Sequence, residues 1–257
     1  MPIISGMTAA KKGKLKRALI VVAIVLVVMI GAAAWWLSDY YHADAAALAA
    51  MADEGDDADG IEVRELPSGD VAFIPHDPES GLVFYPGGKV QAEAYAPLMR
   101  RCAESGILCI LVRPPLNLAF FDADAASDAF EQFPDIDTWV VGGHSLGGVV
   151  ASDFVSRHGN GVAAIVLLAS YPSTDLTNYR GKTLTIAGTN DGVADRKSIE
   201  DARSMLPSDA TEMDIDGGNH AYFGNYGEQD GDGKATITHE EQQTQTATAI
   251  AELVKAA

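Results

Sequence analysis

Cysteine is scarce in this chain: Cys102 and Cys109 are its 2 cysteines among 257 residues. They fall in a predicted helix and in the strand that follows it, where the geometry that a disulfide requires is seldom met. Neither has the histidine context that would favour a nucleophilic thiolate. We therefore predict two buried packing thiols, and neither a disulfide nor a cysteine nucleophile.

Basic residues are also few, with 18 Lys and Arg against 36 Asp and Glu. The first 37 residues hold 5 of the basic residues and none of the acidic ones, so the remainder carries a formal charge of −23. Such a surface repels nucleic acid and anionic lipid heads. We expect no nucleic-acid partner, and a small-molecule substrate that is uncharged or weakly charged.

One long stretch lacks charge altogether. Residues 18–37 contain no ionisable side chain and follow a segment, residues 11–17, with 5 positive charges. At about 1.5 Å per residue a helix of this length spans the roughly 30 Å hydrocarbon core of a bilayer. The basic flank predicts a cytoplasmic amino end, so residues 1–17 would be a basic cytoplasmic tail and 18–37 a single-pass signal-anchor in the cell membrane.

The aromatic residues after this stretch suit the far membrane interface: Trp35, Trp36, Tyr40 and Tyr41. An acidic linker, residues 38–60, and an extracytoplasmic domain, residues 61–257, would follow. A cleaved signal peptide is the alternative, since residues 32–34 are all alanine. Its apolar core is usually about 7 to 15 residues, which is shorter than the stretch here, so the uncleaved anchor is favoured.

Apolar runs and helical patterns alternate beyond the linker. Turn residues bound each run, and a hairpin is indicated at residues 67–70. Strands are predicted at residues 61–66, 71–75, 82–85, 107–112, 138–141, 162–169, 183–188 and 211–216. Helices are predicted at residues 91–104, 123–133, 149–157 and 196–205, and from about His239. This alternation predicts an α/β fold with a mostly parallel sheet.

A glycine-flanked serine stands at one strand-to-helix boundary. Gly143 and Gly147 lie two residues either side of Ser145, as in the G-x-S-x-G elbow of serine hydrolases. Glycines there remove the Cβ atoms that would block so sharp a turn, which forces the serine hydroxyl outward. The N–H of Leu146 opens the next helix and is free to stabilise an oxyanion. Ser145 is the predicted nucleophile.

An acid and a base follow in the order that such enzymes use. Asp191 comes just after the strand at 183–188, and His220 comes just after the strand at 211–216. Carboxyl ends of parallel strands meet at one edge of a sheet, so both side chains are expected beside Ser145. The histidine would accept the serine proton and the carboxylate would hold its tautomer. Asp195 and Asp216 are the weaker alternatives to Asp191.

These segments together resemble the α/β-hydrolase superfamily, and in detail the bacterial α/β-hydrolase family 5. The resemblance is carried by residues 84–90 as the oxyanion loop, 142–148 as the elbow, 188–192 as the acid turn and 217–224 as the histidine loop. It implies a mostly parallel sheet of about eight strands flanked by helices, with Ser145, Asp191 and His220 as the catalytic triad. Only about a dozen residues, 170–181, occupy the place where this fold commonly inserts a lid, so no large cap domain is expected.

The oxyanion loop departs from the HGGG pattern of lipases, since Tyr85 and Pro86 precede its glycines. Pro86 cannot donate, so the second oxyanion donor is Gly88, or Lys89. Glycine is favoured because it lets the backbone approach the oxyanion closely. Three aromatic residues in and after the histidine loop are expected to form a shallow wall for a short acyl group: Tyr222, Phe223 and Tyr226.

An acidic turn after the histidine loop partly resembles a calcium loop. Asp230 and Asp232 alternate before Gly233, but with Glu228 as the first position His239 falls where the bidentate Glu belongs. We therefore predict no metal and no cofactor. The predicted function is a membrane-anchored serine hydrolase, a carboxylic-ester hydrolase. The alternatives are an envelope acyltransferase and a catalytically silent binding module of the same fold. Oligomeric state stays open.

Overall fold

A computed structural model describes residues 9–52, 60–194 and 196–257. The middle of the predicted linker, residues 53–59, and the alternative acid Asp195 lie outside the described residues. The chain divides into two compact units, Met1–Tyr40 and Tyr41–Ala257.

The first unit contains one long helix, α1 (Ala9–Ser38). Its segment Gly13–Trp36 has a mean hydropathy of 2.9, and none of it is buried within the structure. By length and composition this segment can cross a membrane.

The second unit is built on one sheet of eight strands. In chain order the strands are β1 (Glu62–Glu65), β2 (Val71–Ile74), β3 (Ser80–Tyr85), β4 (Ile107–Leu111), β5 (Thr138–His144), β6 (Ala164–Leu168), β7 (Lys182–Gly188) and β8 (Thr211–Ile215). Their spatial order is β1-β2-β4-β3-β5-β6-β7-β8. Among the described residues two strand pairs are antiparallel, that of β2 with β1 through the predicted hairpin and that of β2 with β4. The other pairs are parallel, which confirms the predicted fold class.

Helices cover both faces of the sheet. They are α2 (Ala45–Ala50), α3 (Ala96–Ala103), α4 (Ala125–Gln132), α5 (Leu146–His158), α6 (Arg196–Ala202) and α7 (His239–Ala256). Side chains of α3 and α7 enter one apolar core and those of α4 and α5 enter the other. A parallel sheet covered on both faces has apolar strands, and β3, β4 and β6 are buried along nearly their whole length.

Both cysteines are buried and free, as predicted. Burial raises the pKa of the Cys109 thiol well above its ordinary value, and contact with Cys102 adds to the shift. A thiol held protonated is a poor nucleophile, so Cys109 serves packing.

The connection between β6 and β7 contains no helix or strand. Residues 169–181 cross from one strand to the next through turns alone. The prediction that this position carries no large cap is therefore confirmed, and the edge of the sheet that follows β5 and β6 has no inserted domain over it.

Residues 41–52 belong to the second unit, although the sequence placed them in the linker. The N–H of Tyr41 donates to the carbonyl of Lys89 at 2.8 Å, and the N–H of Gln91 donates back to the carbonyl of Tyr41 at 2.9 Å. Asp44 caps α2, and the Arg100 Nε donates to the carbonyl of Ala50 at 3.1 Å. Backbone pairing of this kind leaves no sequence pattern, so composition alone indicated a linker.

Candidate active site

Ser145 lies in a strained turn between β5 and α5. Its φ of 51° and ψ of −119° fall in a region that side chains other than glycine rarely adopt. The surroundings hold this conformation, because its N–H donates to the Leu168 carbonyl at 2.9 Å and its own carbonyl accepts from the Ser170 hydroxyl at 2.7 Å. The side chain remains partly exposed, as a nucleophile requires.

The glycines of the elbow are required by close packing. A Cβ atom on Gly147 would overlap the carbonyl oxygen of Tyr85, and one on Gly143 would overlap the backbone of Gly147. The elbow helix therefore lies directly against the end of β3, from which the oxyanion loop departs. This is the packing that the G-x-S-x-G pattern predicts.

Asp191 and His220 meet at the carboxyl ends of β7 and β8. The Nδ1 of His220 lies 2.9 Å from Oδ2 of Asp191, and the side chains are 2% and 5% exposed. Since the carboxylate accepts from Nδ1, Nε2 is the nitrogen left to accept a proton. Burial would raise the pKa of the Asp191 carboxyl, but the hydrogen bond and charge of His220 and the N–H groups of Ala194 and Val193 outweigh it, so that pKa lies below its ordinary value.

His144, inside the elbow, packs beside the candidate base. Its ring centroid is 4.4 Å from that of His220. Burial first, and then the nearby charge of His220, hold the pKa of His144 well below its ordinary value. A neutral neighbour does not oppose protonation of His220, whereas a second imidazolium at this distance would.

Tyr95 connects the elbow to the oxyanion loop. Its buried hydroxyl accepts from the N–H of Gly87 at 3.1 Å and lies 2.8 Å from Nδ1 of His144. A hydroxyl that accepts from the backbone has its single proton available for the imidazole, which makes Nδ1 of His144 the acceptor. Tyr95 falls within the helix predicted at residues 91–104, and the sequence held no sign of this bond.

Gly88 is the better placed of the two proposed second oxyanion donors. The Lys89 N–H donates to the carbonyl of Asn117 at 2.8 Å, so it is already committed. A Cβ atom on Gly88 would lie 2.9 Å from Cδ2 of Leu146, so Gly88 packs directly against the first residue of α5. The N–H of Leu146 opens that helix and has no partner within it. This arrangement favours the pair Leu146 and Gly88.

The three aromatic residues expected around the substrate lie mainly in the core. Phe223 is fully buried, with its ring 5.5 Å from that of His144. Tyr226 is 6% exposed and packs against Tyr41 and Tyr95. Tyr222 stacks on the ring of His239 at 3.6 Å. The burial of Phe223 and Tyr226 does not favour a substrate wall at these two positions, since position along the chain does not determine which way a ring points.

A different set of apolar side chains is exposed near the oxyanion loop. Leu116, Phe120 and Phe121 are 50%, 50% and 53% exposed. Their loop is tied to the oxyanion loop by the bond from Lys89 to Asn117, and its turn at residues 119–122 packs on α5. A cluster of exposed apolar side chains beside a site is a candidate for contact with an apolar ligand group.

The acidic turn after the histidine loop packs against the candidate pair. Asp232 accepts hydrogen bonds from the backbone of the turns that carry Asp191 and His220. The described residues contain no group of three or more His, Cys, Asp or Glu side chains arranged to hold a metal ion. The turn is therefore part of the site's scaffold, a role that its calcium-like spacing did not suggest.

Solved structures with similar folds include two that are described as hydrolases. Dienelactone hydrolase from Anabaena variabilis has a TM-score of 0.57 at 16% identity, covering 76% of this chain and 97% of that one. A predicted CIB-like hydrolase from Thermoplasma acidophilum matches with TM-score 0.57 at 14% identity, covering 75% and 100%. The protein TT1662 from Thermus thermophilus matches with TM-score 0.57 at 15% identity, covering 77% and 99%.

Sequence comparison gives the family. No curated protein sequence matches the chain significantly. The model of the alpha/beta hydrolase family matches residues 81–244. That stretch runs from the strand before the oxyanion loop to the helix after the histidine loop and contains Ser145, Asp191 and His220. With this match over more than half of its length, and with the eight-stranded sheet and elbow described above, the chain belongs to the alpha/beta hydrolase family.

Proposed function

We propose that this chain is a membrane-anchored serine hydrolase that cleaves carboxylic esters through an acyl-enzyme. The observation that carries the proposal is the strained, partly exposed Ser145 on a strand-to-helix turn, at the same sheet edge as a buried Asp191–His220 hydrogen bond. A turn of this conformation costs about 1 to 3 kcal/mol and is kept where function uses it.

The chemistry follows from these groups. Nε2 of His220 takes the Ser145 proton as Oγ attacks the ester carbonyl, and the Asp191 carboxylate stabilises the imidazolium. The oxyanion accepts hydrogen bonds from the N–H groups of Leu146 and Gly88. His220 then returns the proton to the leaving alcohol. In the second half of the reaction a water molecule, deprotonated by His220, attacks the acyl-enzyme carbonyl. The ester bond to Ser145 breaks, His220 returns the proton to the serine oxygen, and the carboxylic acid leaves.

The surface of the domain narrows the substrate class. Beyond residue 37 the chain carries a formal charge of −23, which repels anionic substrates. The exposed side chains of Leu116, Phe120 and Phe121 offer an apolar surface next to the oxyanion loop. With no cap to enclose a long chain, an uncharged ester with a short acyl group fits best.

A series of p-nitrophenyl esters from acetate to palmitate tests this substrate class. Each buried CH₂ contributes about 0.8 kcal/mol, so a deep tunnel would raise kcat/KM several-fold for every two carbons over the whole series. We expect the rise to stop at short chains. Leu116→Ser should lower kcat/KM for the preferred ester, whereas Leu48→Ser, at an equally exposed leucine on α2, should not. An optimum at palmitate would contradict the proposed class.

Membrane anchoring is tested by protease treatment of intact cells. The basic flank at residues 11–17 and the uncharged helix segment predict that the domain beyond Leu37 lies outside the cytoplasm. We expect added protease to remove that domain while a cytoplasmic marker survives. Protection until the membrane is broken would reverse the orientation. A mature chain in the medium that begins near Trp35 would make the segment a cleaved signal.

A further inference from the structure

The carboxylate of Asp232 lies outside the candidate triad and bonds to the two turns that carry Asp191 and His220. Oδ1 of Asp232 accepts from the backbone N–H groups of Gly192 at 3.1 Å, His220 at 3.2 Å and Gly233 at 2.8 Å. Oδ2 accepts from the N–H of Ala221 at 2.9 Å. Gly192 directly follows the candidate acid, and His220 is the candidate base. Asp232 thus joins two loops that leave different strands.

Further bonds fix Asp232 in this position. The Asn219 side chain donates to the carbonyl of Gly233 at 2.9 Å, and the Asn190 side chain donates to the carbonyl of Lys234 at 3.1 Å. A Cβ atom on Gly233 would overlap the carbonyl oxygen of Asn190. The acidic turn is therefore packed tightly onto the acid turn and held by residues adjacent to both catalytic candidates.

We propose that Asp232 is a positioning residue that sets the alignment of Asp191 with His220 and stabilises the protonated imidazole. The inference rests on the proposed function, since it assigns a residue to the same reaction. Hydrogen bonds to an ionised acceptor are about twice as strong as neutral ones. A carboxylate that holds four N–H groups therefore fixes the spacing of the two turns, and its negative charge lies next to the backbone of His220.

Asp232→Asn in the full-length protein is the test, with Asp230→Asn as the matched control. The amide has nearly the same shape, but it loses the charge and presents an NH₂ group to at least one backbone N–H. Asp230 lies two residues earlier in the same turn, and its side chain is exposed. Both variants remove one negative charge from this turn. Only Asp232→Asn also changes the bonds to the two neighbouring turns and removes the charge next to the backbone of His220.

We expect Asp232→Asn to lower kcat by about 10 to 100-fold with KM changed less than about twofold, because a misalignment near 1 Å can cost about 100-fold. The acid limb of the kcat/KM profile should move to lower pH, because the imidazolium loses a stabilising charge. Asp230→Asn should stay within about twofold with an unshifted profile. Equal behaviour of the two variants would overturn the proposal.

The NMR resonance of the proton on Nδ1 of His220, which bonds to Asp191, decides the question without turnover. We expect this resonance to move in Asp232→Asn relative to the wild type and to stay in place in Asp230→Asn, because only the first variant realigns that hydrogen bond. An unchanged resonance in Asp232→Asn overturns the positioning role even if the wild type cleaves esters, and a changed resonance together with an inactive wild type refutes only the proposed function. If Asp232→Asn does not fold, Asp232→Glu keeps the charge while displacing the turns. A kcat at least about fivefold lower is then expected, and wild-type kcat overturns the proposal.

Discussion

Ser145→Ala is expected to lower kcat/KM for ester hydrolysis by about 10⁴-fold or more. Removal of the nucleophile from a serine triad eliminates the covalent route, and only binding and oxyanion stabilisation remain. The substitution removes one oxygen atom from a partly exposed side chain, so folding should be little affected. Initial rates with a short p-nitrophenyl ester, measured beside circular dichroism, test this expectation.

Ser156→Ala is the matched control for this substitution. Ser156 is exposed on the same helix, where its hydroxyl donates to the carbonyl of Asp153 at 2.9 Å. Its loss should leave the rate within about twofold. If Ser145→Ala retained more than about a tenth of the wild-type rate, the nucleophile would have to be sought elsewhere.

Asp191→Asn is expected to lower kcat by about 10³ to 10⁴-fold. The neutral amide accepts the Nδ1–H hydrogen bond less well than the carboxylate does, and it carries no negative charge. His220 therefore loses both the group that fixes its tautomer and the charge that stabilises its imidazolium. Asp216→Asn is the control, because Asp216 is the alternative acid near the end of β8 and its carboxylate accepts a long, 3.4 Å bond from the hydroxyl of Thr189. A larger loss in Asp216→Asn than in Asp191→Asn would exchange the two assignments.

The contribution of Asp191 to the stability of the fold depends on pH in a defined direction. The pKa of Asp191 in the folded protein is lowered from its ordinary value by interactions that outweigh burial. Its carboxylate therefore stabilises the fold fully above about pH 3.9, and this contribution is lost as the pH falls through the lower folded value. Asp191→Asn should consequently reduce the difference in stability between neutral and strongly acidic pH, measured by urea unfolding.

The strands and the elbow were predictable because local rules determine them. A parallel sheet covered on both faces requires apolar runs, and such runs mark β3 to β6 in the sequence. The strained turn at Ser145 needs glycines at fixed distances, so a short pattern identifies it. Strand ends placed Asp191 and His220, and the structure brings these two side chains to 2.9 Å.

Contacts between distant loops were not predictable in the same way. The Tyr95 hydroxyl bonds to Gly87 and lies at hydrogen-bond distance from His144, yet nothing in its sequence neighbourhood differs from that of a core tyrosine. Phe223 follows His220 closely, yet it is fully buried, because the 3₁₀ turn at residues 221–223 directs its ring inward. Side-chain direction in loops depends on tertiary packing, which single-residue patterns do not encode.

The role of the acidic turn was also not predictable from its sequence pattern. Alternating acids before a glycine are typical of calcium loops, yet the Asp232 oxygens in this fold accept backbone N–H groups from two other loops. Carboxylates serve equally as ligands for metal ions and as acceptors for the backbone. The distances between groups in the folded chain, and not the sequence pattern, distinguish a metal ligand from an acceptor of backbone hydrogen bonds.

Covalent labelling with a fluorophosphonate probe tests the central claim most directly. Such a probe reacts with a serine that an adjacent base activates, whatever the natural substrate is. Mass spectrometry of the labelled full-length protein should find the adduct on Ser145, with labelling absent in Ser145→Ala and strongly reduced in His220→Ala. A folded wild-type protein that remains unlabelled, or an adduct on another residue, would contradict the proposed serine mechanism.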